Sequence, residues 1–164
     1  GIAASGSTPY VLGALEVARD ARAATIGLAC NSNSKLREYA DVTIEVVVGP
    51  EVLTGSTRMK AGTAQKMVLN MMSTAVMVKL GKVYENLMVD MQATNAKLRT
   101  RANGMIQATT GVDRDEAQRL LNSANFDLKT AIVMGKLNVD AATAQKRLAK
   151  SEGYVRRAIT DDLK

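Results

Sequence analysis

Apolar and polar positions alternate between strand-like and helix-like patterns over the first 48 residues of this chain. The opening "GIAAS" reads as the end of a strand. In "TPYVLGALEVARDAR", Val11, Leu12, Leu15 and Ala18 share one face at helical spacing. Thr8 stands at the N-cap and Pro9 at the first helical position, where its missing N–H costs nothing. "ATIGLAC" (24–30) is an apolar run of strand length, "NSNS" a polar turn, "KLREYA" a turn or two of helix, and "DVTIEVVV" (41–48) a second strand. Strands alternating with helices predict an α/β fold with a parallel sheet covered on both faces. So small a sheet, in a chain that opens inside a strand, is expected to be the C-terminal portion of a longer protein whose first strands lie upstream.

From Ser56 onward the pattern predicts only helix. A long Met-rich helix ends at Gly81, and a second covers Ala93 to Thr109. The first is apolar nearly all round, so it is expected to be buried on most sides. Met67, Met71, Met72 and Met77 accordingly read as core or subunit-interface packing rather than an adaptable binding surface. The tail then repeats itself. "DRDEAQRLLNSANFDLKTAI" (113–132) aligns without gaps on "DAATAQKRLAKSEGYVRRAI" (140–159), with Asp113/Asp140, Ala117/Ala144, Leu121/Leu148 and Ala131/Ala158 identical. Each unit reads as an Asp N-cap, a short helix, a turn and another short helix. Neither buries its apolar face alone, so helical packing is the favoured reading and a ubiquitin-associated-like binding module the alternative. Two domains follow, 1–104 around the sheet and an all-helical subdomain over 105–164.

The 164 residues carry a net charge of +6, one cysteine and no histidine. Without histidine, Ser-His-Asp and Cys-His mechanisms and the usual zinc sites are excluded. A lone Cys30 makes no internal disulfide, which suits a reducing compartment. No basic-then-apolar leader and no uninterrupted apolar span is present, so neither secretion nor membrane insertion is expected. Residues 97–164 hold thirteen Lys/Arg against eight Asp/Glu. Their only aromatics are Phe126 and Tyr154, too few to stack bases, so nucleic acid is not an expected partner.

Candidate chemistry concentrates in two Gly/Ser/Thr-rich loops, "AASGSTP" and "LTGSTRMKAGTAQK" (53–66), each placed after a strand and before a helix. The C-terminal edge of a parallel sheet is where such folds bind ligands, and a helix start offers N–H groups and a positive dipole end. Ser5, Ser7 and Thr8 supply donors and Gly6 supplies room; Ser56, Thr57, Arg58 and Lys60 do likewise, with Glu51 a nearby acceptor for a sugar hydroxyl. Phosphate suits this chemistry best.

At these loops the chain resembles the sugar-isomerase (SIS) domains: "ASGST" is similar to their Ser/Thr phosphate loop and "PEVLTGSTRMKAGTAQK" to their second signature. More narrowly, "GIAASGSTPYV", "TGSTRMKAGTAQKMVLNMMST", "GKVYENLMVDMQATNAKLR" and "KTAIVM" resemble bacterial N-acetylmuramic acid 6-phosphate etherases. The glucokinase regulatory protein resembles the same stretches less closely. The resemblance implies a cytoplasmic, homodimeric carbon–oxygen lyase of cell-wall recycling, needing no cofactor or metal. It would cleave the D-lactyl ether of N-acetylmuramic acid 6-phosphate to N-acetylglucosamine 6-phosphate and D-lactate. It also implies that the two catalytic glutamates lie upstream of Gly1, that Ser5 and Thr8 bind phosphate, and that Glu51 binds sugar. Ser56, Thr57, Arg58 and Lys60 would line the same site, while Ser7 occupies a variable position. A sugar-phosphate-sensing regulator and a sugar-phosphate isomerase are the alternatives.

Overall fold

The computed structural model describes residues 1–160. Gly1 to Ala4 runs alongside the first regular strand, β1 (Ile26–Ala29). The pairing is a parallel ladder: Leu28 N–H donates to Gly1 O at 2.8 Å, Ala3 N–H to Leu28 O at 3.0 Å and Cys30 N–H to Ala4 O at 3.0 Å. On its other side β1 pairs in parallel with β2 (Val42–Glu45), in register Ile26 to Val42. Both strands are shorter than the apolar runs that predict them.

Helix α1 (Pro9–Asp20) starts where the Thr8–Pro9 signal places it, and α2 (Leu36–Tyr39) is the short turn of "KLREYA". Leu12 and Leu15 of α1, Leu36 of α2 and Ala29 of β1 form one apolar cluster. Thr25 and Asp41 tie the strand entries together, since the Asp41 carboxylate accepts both the N–H and the hydroxyl of Thr25. Those bonds lower the Asp41 pKa.

Packing divides the chain into two units, Gly1–Ser73 and the portion from Thr74 onward, within α3 (Lys60–Lys79). The boundary expected between residues 104 and 105 falls inside α4 (Ala96–Thr110). Helix α3 closes as its glycine predicts. Gly81 sits at φ +66°, its N–H donates to Val78 O and the Lys82 N–H to Met77 O, the paired bonds of a Schellman stop. Its burial is not as expected. Only Ala61 and Val68 are buried, and Met67, Leu69, Met71, Val76 and Val78 are exposed in the single chain.

The all-helical expectation after Ser56 is also corrected. Val83–Tyr84 (β3) and Leu87–Met88 (β4) form an antiparallel hairpin about a two-residue turn in which Glu85 adopts φ +54°. The segment is short enough that helical periodicity cannot be told from alternation, and its turn carries no glycine. Helix α4 begins three residues later than predicted because the Asn95 side chain, not Ala93, caps it, accepting from Leu98 N–H at 2.9 Å.

The repeat is realised in register. Helices α5 (Arg114–Ser123) and α7 (Ala141–Lys150) are capped by Asp113 and Asp140, each accepting an N–H three residues on at 2.8 Å. Helices α6 (Leu128–Leu137) and α8 (Val155–Thr160) follow equivalent turns, where Asn125 and Phe126 match Glu152 and Gly153 at positive φ. Helix α6 packs on both α7 and α8, so the units bury each other's faces around Leu121, Leu128, Ile132 and Val155.

Candidate functional site

The first loop leaves the ladder at Ala4 and must reverse before α1. Gly6 makes that bend at φ +70°, its N–H donating to Ala3 O at 2.9 Å. A side chain there would also collide with Ser34, whose Cβ lies 2.2 Å from where a Gly6 Cβ would be. The loop hydroxyls stay outside: Ser5, Ser7 and Thr8 are exposed. The Ser5 hydroxyl accepts from the N–H and the hydroxyl of Ser7, both at 3.3 Å. Thr8 occupies the N-cap position, yet its side chain makes no capping bond, so its hydroxyl is left to other partners.

The second loop behaves differently. Gly55 turns at φ +87°, Ser56 N–H donates to Leu53 O, and Thr57, Arg58 and Lys60 are exposed. The Glu51 carboxylate caps α3: Oε1 accepts from Ala61 N–H at 3.0 Å and Oε2 from Lys60 N–H at 3.1 Å. The next two N–H groups are also taken, Gly62 by Thr57 O and Thr63 by Met59 O. The free helix start expected from the sequence is therefore filled by the chain's own carboxylate. The Ala61 and Lys60 N–H groups depress the Glu51 pKa, so the side chain is ionised at neutral pH and has no proton to give. A cavity of about 250 Å³ beside it is lined by Glu51, Val52, Leu53, Ser56 and Met59, all of the second loop.

Cys30 connects the two loops. Its N–H donates to Ala4 O at the base of the first, and its buried Sγ donates to Ala61 O at 3.7 Å in the first turn of α3. Asn31 adds a side-chain donor to Ala4 O at 3.3 Å. Burial raises the Cys30 pKa, keeping it a neutral thiol. The residue that follows β1 thus touches both segments, Ala4 at the base of the first loop and Ala61 after the second.

Sequence reasoning passed over the residues that brace this edge. Glu45, at the end of β2, accepts from Asn33 N–H at 3.1 Å, Ser34 N–H at 2.8 Å, and both Arg37 Nε at 2.8 Å and the Arg37 terminal nitrogen at 2.5 Å. The Arg37 guanidinium above all holds its pKa down at about 2. The one available signal was a glutamate ending a strand eight residues after an arginine. Among the described residues no group of three or more His, Cys, Asp or Glu could hold a metal ion, and no helix is long and apolar enough to cross a membrane. Among the tail aromatics, the Arg99 guanidinium lies over the Phe126 ring and that of Arg157 over the Tyr154 ring, at 4.3 Å each.

Residues 1–75 match the SIS domain, and residues 107–134 a UBA-like domain. The chain is 58% identical over 160 residues to N-acetylmuramic acid 6-phosphate etherase 1 of Bacillus licheniformis, covering 98% of this chain and 53% of that protein. It is 55% identical over 159 residues to the N-acetylmuramic acid 6-phosphate etherase of Caldanaerobacter subterraneus subsp. tengcongensis, covering 97% and 52%. The protein of that name from Salmonella paratyphi B is 54% identical, covering 97% and 54%. The chain spans about half the length of the curated relatives it matches. Over nearly all its residues, then, the chain is similar to proteins named N-acetylmuramic acid 6-phosphate etherase, and its first 75 residues match the SIS domain.

Proposed function

We propose that this chain supplies the sugar-phosphate-binding part of a carbon–oxygen lyase, one that releases D-lactate from N-acetylmuramic acid 6-phosphate and leaves N-acetylglucosamine 6-phosphate. The observation that carries the reading is the contact of Cys30, which follows β1, with Ala4 at the base of the first hydroxyl-rich loop and Ala61 after the second, in a chain 54–58% identical to etherases. Ser5 and Thr8 face solvent with hydroxyls able to take phosphoryl oxygens, and Ser56, Thr57, Arg58 and Lys60 present further donors and positive charge. Gly6 keeps the first bend tight, and Ser7 is the more dispensable hydroxyl.

Glu51, which caps α3, and Glu45, which holds Ser34 against Gly6, are held ionised by the N–H groups and guanidinium they bind. Ether elimination needs a base for the proton beside the lactyl carboxylate and an acid for the leaving oxygen. Neither side chain is placed to be that acid. We assign both roles to glutamates supplied from outside these 164 residues, with assembly as a cytoplasmic homodimer acting in cell-wall recycling. Residues 1–104 are the proposed binding domain and 105–164 a helical accessory.

Isothermal titration of N-acetylglucosamine 6-phosphate tests the site. Ser5→Ala is expected to weaken binding about tenfold and Ser7→Ala by less than threefold, the first losing a bond to a charged group. Equal effects of the two substitutions reject the assignment.

A further inference from the structure

Ser34 keeps a hydroxyl where a folded interior has little use for one. The residue is 6% exposed, and its Oγ is the one buried side-chain polar atom without a hydrogen-bond partner among the described residues. A buried hydroxyl in that position has given up its hydration without replacement, and native structures seldom retain one without a role. Its backbone, by contrast, is secured by the Glu45 carboxylate. That carboxylate lies near enough for the Ser34 hydroxyl to help lower its pKa. The two nonetheless fall short of hydrogen-bond geometry, and both oxygens are engaged by Arg37 and backbone N–H groups.

The opposite side of Ser34 is the first loop. A Cβ on Gly6 would fall 3.0 Å from Ser34 Oγ and 2.2 Å from its Cβ, so the side chain presses directly on the bend between Ser5 and Ser7. With its backbone clamped, the only freedom left to Ser34 is rotation of χ1 among staggered positions.

We infer that Ser34 is a positioning residue of the anion site: its hydroxyl, buried without a hydrogen-bond partner beside Gly6, gains a backbone partner in the Ser5–Ser7 bend when that bend tightens around a phosphate monoester. The inference rests on the phosphate reading of that loop. A bond made only in the liganded state adds to affinity and contributes nothing to the stability of the free protein. That separates it from an ordinary core contact.

The test uses the 164-residue chain, N-acetylglucosamine 6-phosphate as probe, titration calorimetry for affinity and thermal melting without ligand. Ser34→Ala is expected to bind about three- to tenfold more weakly, the share of one net hydrogen bond. Its melting temperature without ligand should be equal to or above that of the unsubstituted chain. Where Ser34→Ala misfolds, Ser34→Cys replaces it; a weak S–H donor of similar size predicts an intermediate loss. Unchanged affinity with a raised melting temperature overturns the inference, making Ser34 a tolerated defect or the seat of a structural water. A parallel fall in affinity and melting temperature overturns it too, as plain packing. Ser5→Ala run alongside separates the two levels. If Ser5→Ala weakens binding and Ser34→Ala does not, only the Ser34 role fails. If neither does, or the unsubstituted chain does not bind, the phosphate reading itself fails.

Discussion

Glu51 and Thr8 are both cap-type residues in front of a helix, and only one of them caps. The Glu51 carboxylate holds the Lys60 and Ala61 N–H groups, while the Thr8 hydroxyl holds none. Glu51→Gln removes the charge that complements the positive end of α3 and leaves one amide oxygen for two donors. The expected result is a lower melting temperature and faster hydrogen exchange at the Lys60 and Ala61 amides; unchanged exchange there would disprove the cap. Gly81 was legible as a glycine that closes a helix, since positive φ disfavours any Cβ, and Gly6 as room for a ligand in its loop. Their second constraint was not. Ser34 against Gly6 and the Tyr154 ring 3.1 Å from a Gly81 Cβ come from residues distant in sequence. Gly81→Ala combines left-handed backbone with that crowding and is expected to cost about 1–2 kcal/mol by denaturant titration.

The loop between β1 and α2 is held from outside itself, by Glu45 and Arg37. Because the folded pKa of Glu45, about 2, lies below its ordinary 4.5, the clamp's contribution is complete above pH 4.5 and is lost as pH falls toward 2. Glu45→Gln should flatten that part of the stability–pH profile, and an unaltered acid limb would show that the clamp does not hold the loop. Helix starts were the most legible elements. Pro9, Asp113 and Asp140 each mark one, because a cap acts through neighbours three residues away. The β3–β4 hairpin was missed for the converse reason: two residues per strand carry too little alternation to outvote helical neighbours. Asn95 took the α4 cap because its side chain reaches Leu98 N–H, a choice between adjacent polar residues that composition does not make.

Across the whole chain the most conspicuous surface is α3, where Met67, Leu69, Met71, Val76 and Val78 are all exposed. Met67 and Met71 fall on one face of this helix and Leu69 on the opposite one, so apolar surface is exposed on both sides. Such surface favours association, and it supports the proposed dimer. Light scattering at micromolar concentration should give dimers or larger, and Leu69→Lys with Met71→Lys should shift the population toward monomer. A clean monomer for the unsubstituted chain would argue against the dimer. Since the hydrogen bonds that Glu45 and Glu51 accept lower both their pKa values, away from the role of a proton donor, the chain assayed alone is expected to release no lactate from N-acetylmuramic acid 6-phosphate. Lactate release by the pure 164-residue chain would return the catalytic pair to these residues.

The sequence by itself determined the strand–helix alternation, the two hydroxyl-bearing loops, the helix starts and the 27-residue register of the tail. Each is written in neighbours a few positions apart, through period, cap and turn. Only tertiary structure decided that Glu51 fills the start of α3, that Cys30 ties Ala4 to Ala61, and that Ser34 lies unpaired beneath Gly6. Those contacts join segments separated by ten to thirty-one residues. Local preference carries no information about which distant partner a polar group will find once the chain has closed around it.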